Sequence, residues 1–416
     1  MVFLKVDANV CRKRLLWRNS SVLSDLLQRR EAGYSLEAPF YTSETIFQED
    51  VRRVFLANWL FAGHSSAIPK PGDYFIFEVA NESFIVIRDD RMRIHALSNV
   101  CRHRGSQVCT EDHGNARTLV CPYHQWVYRP DGSLLKARLM PPDFDLAAHG
   151  LLPARIEVLE DLIFICGAAD APDFESFRDC MEPRLLPHDL PQAKIACKKE
   201  YDIAANWKLV VENSRECYHC GVAHPQYCKA VAFAAAVGSE ISQSEALSAE
   251  VRAREEVERL GLPVDEVPFL PDSWYHYRRF FLRAGHVTES MDGQPVGPRM
   301  GRLPNCNTGV FAIVTLPNFL LEASADYVMT LRLTPKSPQL THAEVCWLVR
   351  SDANEGIDYN VERLTEFWRL TSEQDWVLCE NNQRGVNSSK YVPGAYAPSE
   401  AGVEHFVQWY IKQLQK

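Results

Sequence analysis

Two short motifs in this 416-residue chain set a thiol beside an imidazole: Cys101-Arg102-His103 and Cys121-Pro122-Tyr123-His124, with 17 residues between them. Two thiolates and two imidazoles can hold tetrahedral zinc or a [2Fe–2S] cluster. A zinc knuckle seats two thiolates of one turn on one ion, whereas each turn here has one Cys and one His. That division suits two metals, Cys101 and Cys121 on one, His103 and His124 on the other. A structural zinc is the other chemistry these four residues allow.

The densest run of such residues lies at 206–225. Glu216 and His219 are three apart and share one face of a helix. His224 follows five later, about 140° round an ideal helix, so both imidazoles reach one ion only where the helix bulges or ends. Gly221 and Pro225 predict an ending. Two His and one carboxylate on one face of an iron leave positions open for dioxygen and substrate. Cys217-x2-Cys220-x3-His224-x3-Cys228 also resembles a zinc knuckle, but a continuous helix spreads those side chains over about 16 Å. These cysteines read instead as small buried packing residues. The carboxylate comes from further on. Leu364, Phe367, Trp368, Thr371, Asp375 and Leu378 form one helical stripe, which places Asp375 on an apolar face. A buried carboxylate needs a metal or a basic partner.

These residues need a scaffold. Leu15, Leu16, Val22, Leu23, Leu26 and Leu27 have a helical period, and 50–60 continues the helical texture. Short β-rich runs at 74–79, 84–87, 94–97 and 156–166, split by turns such as Pro71-Gly72-Asp73 and Asp131-Gly132, predict a small all-β domain around the first motifs. Helices are expected at 207–218 and 240–260, antiparallel strands at 274–284, 310–316, 327–333 and 342–350, and a long helix at 358–383. The fold class is α+β. A net charge of −9 and the lack of a basic stripe argue against nucleic acid or an anionic membrane as partner. No window reaches the ~18 apolar residues of a membrane span. Thirteen Cys over so long a chain do not make a disulfide scaffold, and a reducing cytoplasmic location is expected. No glycine-rich nucleotide loop is present, so this chain has no flavin or nicotinamide site and electrons must come from a partner.

Cys101-Arg102-His103-Arg104-Gly105 and Cys121-Pro122-Tyr123-His124 resemble the Rieske motif of non-haem iron oxygenase α subunits, the aromatic-ring-hydroxylating dioxygenase family. Respiratory Rieske proteins carry extra cysteines near Ser106 and Gln125, and many oxygenases have Gly at Gln125. The resemblance spans about residues 40–410. It implies an N-terminal helical segment at 1–45, a Rieske [2Fe–2S] domain at 46–166, and a catalytic domain at 167–416 whose curved antiparallel sheet grips a helix, START-like. It also implies a cluster on Cys101, His103, Cys121 and His124, and a mononuclear Fe(II) on His219, His224 and Asp375, since Asp375 precedes Glu380 and Gln383-Arg384-Gly385 as in the family. An NAD(P)H-dependent flavin/iron–sulfur reductase, O₂ and a homotrimer follow from the same likeness, with Glu216 bridging the centres of adjacent subunits.

Glu216 stands where most members have Asp. That glutamate, the run Gln383–Ser388 and Tyr396 look similar to the branch acting on choline, glycine betaine, proline betaine and carnitine. The function this implies is hydroxylation of an N-methyl group with loss of formaldehyde. The alternatives are a hydroxylase of an aromatic acid or other hydrophobic ring, and an electron carrier. A quaternary ammonium favours an aromatic cage, but Trp274, Tyr275, Tyr277, Phe280 and Phe281 read as strand packing and His276 as structural or surface.

Overall fold

Alternation of apolar side chains organises the first half of the chain in this computed structural model. It describes residues 22–232, 243–267, 269, 270 and 272–416. Leu15 and Leu16 lie outside these, while Val22, Leu23, Leu26 and Leu27 fall on a helix at 22–29. Ten strands follow: β1 (Leu60–His64), β2 (Asp73–Val79), β3 (Glu82–Arg88), β4 (Ile94–Ser98), β5 (His113–Asn115), β6 (Leu119–Val120), β7 (Val127–Tyr128), β8 (Leu134–Lys136), β9 (Arg155–Leu159) and β10 (Leu162–Cys166). They form antiparallel sheets ordered β4-β3-β2-β5, β6-β7-β8 and β1-β10-β9. The run 156–166 is a hairpin rather than one strand, because Glu160 and Asp161 take φ of 48° and 62°. Successive left-handed residues make the tight turn that matches strand twist.

The second half is built on one six-stranded antiparallel sheet of β11 (Ala193–Ile203), β12 (Tyr275–Phe280), β13 (Val310–Thr315), β14 (Phe319–Ala323), β15 (Val328–Ser337) and β16 (Leu340–Arg350), in the order β11-β16-β15-β14-β13-β12. Side chains alternate between its faces. Tyr277, Ile313 and Leu321 lie in one buried cluster with Phe164 and Phe177. Phe280, Ala312, Met329 and Leu331 lie in another, with Phe367, Trp368, Trp376 and Cys379 of the long helix Val361–Val386. That helix therefore covers one face of the sheet, and the α+β expectation holds. β11 had no apolar signature because it is half-exposed along most of its length. Among the described residues, no helix is long and apolar enough to cross a membrane.

A buried ion pair ties the two halves together. The helix Glu44–Asp50 continues as a π-helical stretch, Val51–Phe55, which packs Phe55 edge-on against Trp207, ring centroids 4.8 Å apart. Asp50 and Lys208 are both fully buried and paired. Asp50 also accepts from Trp207 Nε1 at 3.0 Å and from Tyr410 OH, on the C-terminal helix Ala401–Gln415, at 2.6 Å. Burial pushes Asp50 up and Lys208 down from their ordinary values, and each opposes the shift of the other. Removing one partner strands a buried charge. Asp50→Ala is therefore expected to cost about 3–5 kcal/mol, most of it recovered by adding Lys208→Met. Denaturant unfolding of the single and double variants measures this, and an additive loss contradicts it.

Candidate functional site

The two Cys/His motifs fold into matching loops. Cys101 N donates to Ser106 O and Gly105 N to Cys101 O, at 2.8 and 2.9 Å; Cys121 N donates to Trp126 O and Gln125 N to Cys121 O, at 2.9 and 3.0 Å. The fifth residue of each loop is left-handed, Gly105 at φ 77° and Gln125 at φ 59°. Gln125 thus keeps the turn without being Gly, and its amide oxygen accepts from Arg138 at 3.3 Å. Cys101 and Cys121 are buried, with Cys101 Sγ 3.2 Å from Tyr128 OH. His103 and His124 sit further out, ring centroids 4.5 Å apart, and His103 stacks on Trp126 at 5.0 Å. Thiols inward and imidazoles outward is a donor set for a cluster with one buried and one near-surface iron.

The helix Trp207–Asn213 stops sooner than its expected end at 218. Ser214 caps it, its hydroxyl donating to Val211 O at 2.8 Å, and Glu216–His219 follows as a turn. Glu216 and His219 therefore meet across a turn, not along a helix face: Glu216 Oε1 accepts from His219 Nδ1 at 2.5 Å, and Glu216 Oε2 takes the Tyr218 amide. The one-turn helix Cys220–Ala223 ends at His224, and Pro225 starts the next. This is the ending that Gly221 and Pro225 predicted. It lets both imidazoles face Asp375, whose Oδ1 lies 3.2 Å from His219 Nε2 and 2.9 Å from His224 Nε2.

Each imidazole is held by its far nitrogen. Glu216 holds His219, and Gln374 Oε1 accepts from His224 Nδ1 at 2.8 Å. Gln226 Nε2 donates to the same Gln374 oxygen at 2.8 Å, which fixes the amide. Both Nε2 atoms thus point at one carboxylate, a donor set that fits a divalent iron. Burial disfavours a charged His219, but Asp375 and Glu216 outweigh it and hold it up at about 9. Burial likewise opposes a charged Asp375, yet the two histidines keep its pKa below the usual value. Gln374 was not foreseen, since a glutamine beside an aspartate carries no signal of its own.

Cys217 and Cys220 form a disulfide, which corrects their reading as reduced packing residues. It also removes the zinc-knuckle alternative, which needs both thiolates. Cys228 is buried as packing.

A cavity of about 280 Å³ opens on His219, His224 and Asp375. Sheet register builds its floor. Arg278, Ala312, Glu322 and Met329 pair in one row, and His276, Val314, Leu320 and Leu331 in the next; all eight line the cavity. Trp368, Thr371 and Ser372 of the long helix and Arg215 complete much of the wall. His276 is thus a cavity residue rather than structural or surface filler. None of Trp274, Tyr275, Tyr277, Phe280 and Phe281 lines it; Trp274 and Tyr275 pack on Phe177, as expected of strand packing. Burial pushes Glu322 up to about 7 and Glu289 well above the carboxylate range, so this adjacent pair holds a proton at neutral pH. Glu216 and His219 also line a second hollow, of about 410 Å³, beside Tyr41 and Tyr396.

Residues 58–153 match the model of the Rieske [2Fe-2S] domain, and residues 192–416 that of the ring hydroxylating alpha subunit (catalytic domain). The chain is 38% identical over 395 residues to the glycine betaine monooxygenase oxygenase subunit of Chromohalobacter salexigens, covering 93% of this chain and 87% of that one. It is 32% identical over 208 residues to the carnitine monooxygenase oxygenase subunit of Escherichia coli K12, covering 48% and 55%. A solved quaternary ammonium Rieske monooxygenase in complex with L-carnitine has the same fold, with a TM-score of 0.69 at 21% identity over 94% of this chain and 98% of that one.

Two outcomes follow from the histidine supports. Gln374→Leu leaves His224 Nδ1 unheld and is expected to weaken iron retention roughly 10–100-fold, read as iron content after graded chelator dialysis. His219 raised to about 9 is protonated at pH 7 in the metal-free protein, so an incoming cation must displace that proton. Fe(II) uptake should release protons at pH 7 and strengthen as pH rises toward 9. A pH-independent affinity by calorimetry contradicts this.

Proposed function

The chain belongs to the Rieske non-haem iron oxygenase family, and from that premise we propose that it hydroxylates an N-methyl group of a small betaine-type quaternary ammonium compound. As a family member it is an O₂-using oxidoreductase with a [2Fe–2S] cluster and a mononuclear iron. When bound, the cluster supplies single electrons and the iron activates dioxygen beside the substrate. One methyl C–H becomes C–OH, the second oxygen atom leaves as water, and two electrons and two protons are consumed. The N–CH₂OH product then breaks its C–N bond, releasing formaldehyde and a tertiary amine.

The observation that carries this reading is the carboxylate–imidazole set opening on a small cavity, in a chain alike over its length to a glycine betaine monooxygenase. Cys101, His103, Cys121 and His124 hold the cluster in this proposal, and the near-surface imidazoles are where electrons leave it. His219, His224 and Asp375 hold the iron, and Gln374 and Glu216 keep both Nε2 atoms aimed at it. Glu216 lies between the cavity and the outer hollow, and so can also accept a hydrogen bond from a histidine of a neighbouring subunit. That is the bridge a homotrimer needs. Electrons come from a separate NAD(P)H-dependent flavin/iron–sulfur reductase, in the cytoplasm. The domains divide at 1–45, 46–166 and 167–416, with 46–55 leading into β1 yet packed on Trp207. Trp368 and Tyr227 line the cavity, where a cation can be attracted by an aromatic ring.

With a matched reductase, O₂ uptake should track formaldehyde release on glycine betaine and exceed that on benzoate. Ring hydroxylation of benzoate without formaldehyde from any betaine defeats the proposal. Glu216→Gln should keep both metal centres loaded, by iron analysis and electron paramagnetic resonance, while turnover falls by at least ~100-fold, the scale for losing an essential positioned group. Full turnover in that variant removes the bridge.

A further inference from the structure

Among the described residues, Arg215 is a buried cation without an anion. It is 8% exposed, and its Nε and Nη2 atoms are shielded from solvent with no hydrogen-bond partner among the described residues. Its guanidinium lies over the Phe269 ring, 5.3 Å from the centroid. Other buried arginines are anchored: Arg279 donates to Pro263 O and Thr308 O, each at 2.9 Å, and Arg332 pairs with Glu344 at 3.0 Å. A buried charge is costly unless paired. Burial and the nearby Arg278 lower Arg215 to about 10, which still leaves it cationic at neutral pH.

The position of Arg215 says what would pair with it. It lines the same cavity as His219 and Asp375, next in sequence to Glu216. Arg278 and His276 line the cavity from alternate positions of edge strand β12. His276 stacks on Phe269 at 4.3 Å, and burial with the charges of Arg215 and Arg278 holds it down to about 3, so it stays neutral. Glu322 stands in the same sheet row as Arg278, with only Ala312 between them, so Arg278 has a carboxylate within its row. Arg215 does not: the ring at its side is apolar, and its free N–H groups form the planar fork that suits a carboxylate.

We propose that Arg215, with Arg278 beside it, receives the substrate's carboxylate, so that this cavity selects amino-acid betaines over quaternary amines with no carboxylate. The assignment rests on the betaine-type reading above and narrows it, because a choline-like substrate would leave the Arg215 charge buried and unpaired. Phe269 acts as the plate that holds the guanidinium plane in place.

The test uses the iron-loaded holoenzyme under anaerobic conditions, with calorimetric binding of glycine betaine and choline to wild type, Arg215→Gln and Arg215→Lys. Steady-state KM and kcat on both compounds are read in parallel. Wild type should prefer glycine betaine, and Arg215→Gln should weaken its binding and raise its KM roughly 10–100-fold, the scale of a lost charge-assisted contact. The betaine-to-choline affinity ratio should fall by at least the same order, and Arg215→Lys should recover part of it. An equal loss for both compounds, or an undiminished betaine affinity in Arg215→Gln, overturns the assignment while leaving the betaine reading intact. A wild type that binds neither compound takes down both.

Discussion

Two imidazoles five residues apart cannot face one point from a continuous helix, and the centre of this protein is arranged around that constraint. The helix Trp207–Asn213 has to stop, a turn has to carry Glu216 and His219, and a single helical turn has to end at His224 before Pro225 begins another. Once the backbone is broken in this way, the carboxylate has to come from elsewhere. Asp375 supplies it from the middle of a 26-residue helix that needs no local irregularity. Irregular backbone thus brings the two imidazoles to one point and regular backbone the carboxylate they face. The long helix also presents Gln374, so one element provides both the shared carboxylate and the support of an imidazole that faces it.

The breaks were legible because they carry signals: Gly221 and Pro225 punctuate the chain, and the Cys/His spacing of the first motifs suits two irons better than one zinc. The apolar stripe of the long helix placed Asp375 correctly for a similar reason, since a carboxylate among Phe367, Trp368 and Thr371 conflicts with its surroundings. What escaped notice carried no conflict. Gln374 is an ordinary polar residue on a helix. β11 mixes a charged run, Lys198–Glu200, with apolar residues because most of it is half-exposed, so neither a hydrophobic run nor a clean period of two marks it. Arg215 sits in a motif crowded with stronger signals, and only its lack of a partner among the described residues singles it out.

The cavity shows why sheet register matters more than composition in such a site. The aromatic residues of β12 pack as strand residues, as their pattern predicts: Tyr275 and Tyr277 face away from the cavity, and the alternate positions His276 and Arg278 face into it. A slip of one residue between β12 and β13 would exchange the two sets. It would fill the floor with tyrosine and bury an arginine and a histidine in the core behind it. The pairing Arg278–Ala312–Glu322–Met329 therefore fixes both the volume and the charge of the cavity. Ala312 is the small residue that leaves room for the two charged chains to share one row.

The disulfide between Cys217 and Cys220 bears on the same turn. It closes a ring of four residues around Tyr218 and His219, within the segment whose backbone departs most from regular helix. A short covalent ring restricts the alternatives open to that segment. The remaining polar bonds there, Glu216 to the Tyr218 amide and to His219, are ones that solvent could compete for, since Glu216 also borders the outer hollow. Covalent closure and carboxylate clamp act on the same few atoms from opposite sides. The position of His219 is thereby set by the protein's own bonds.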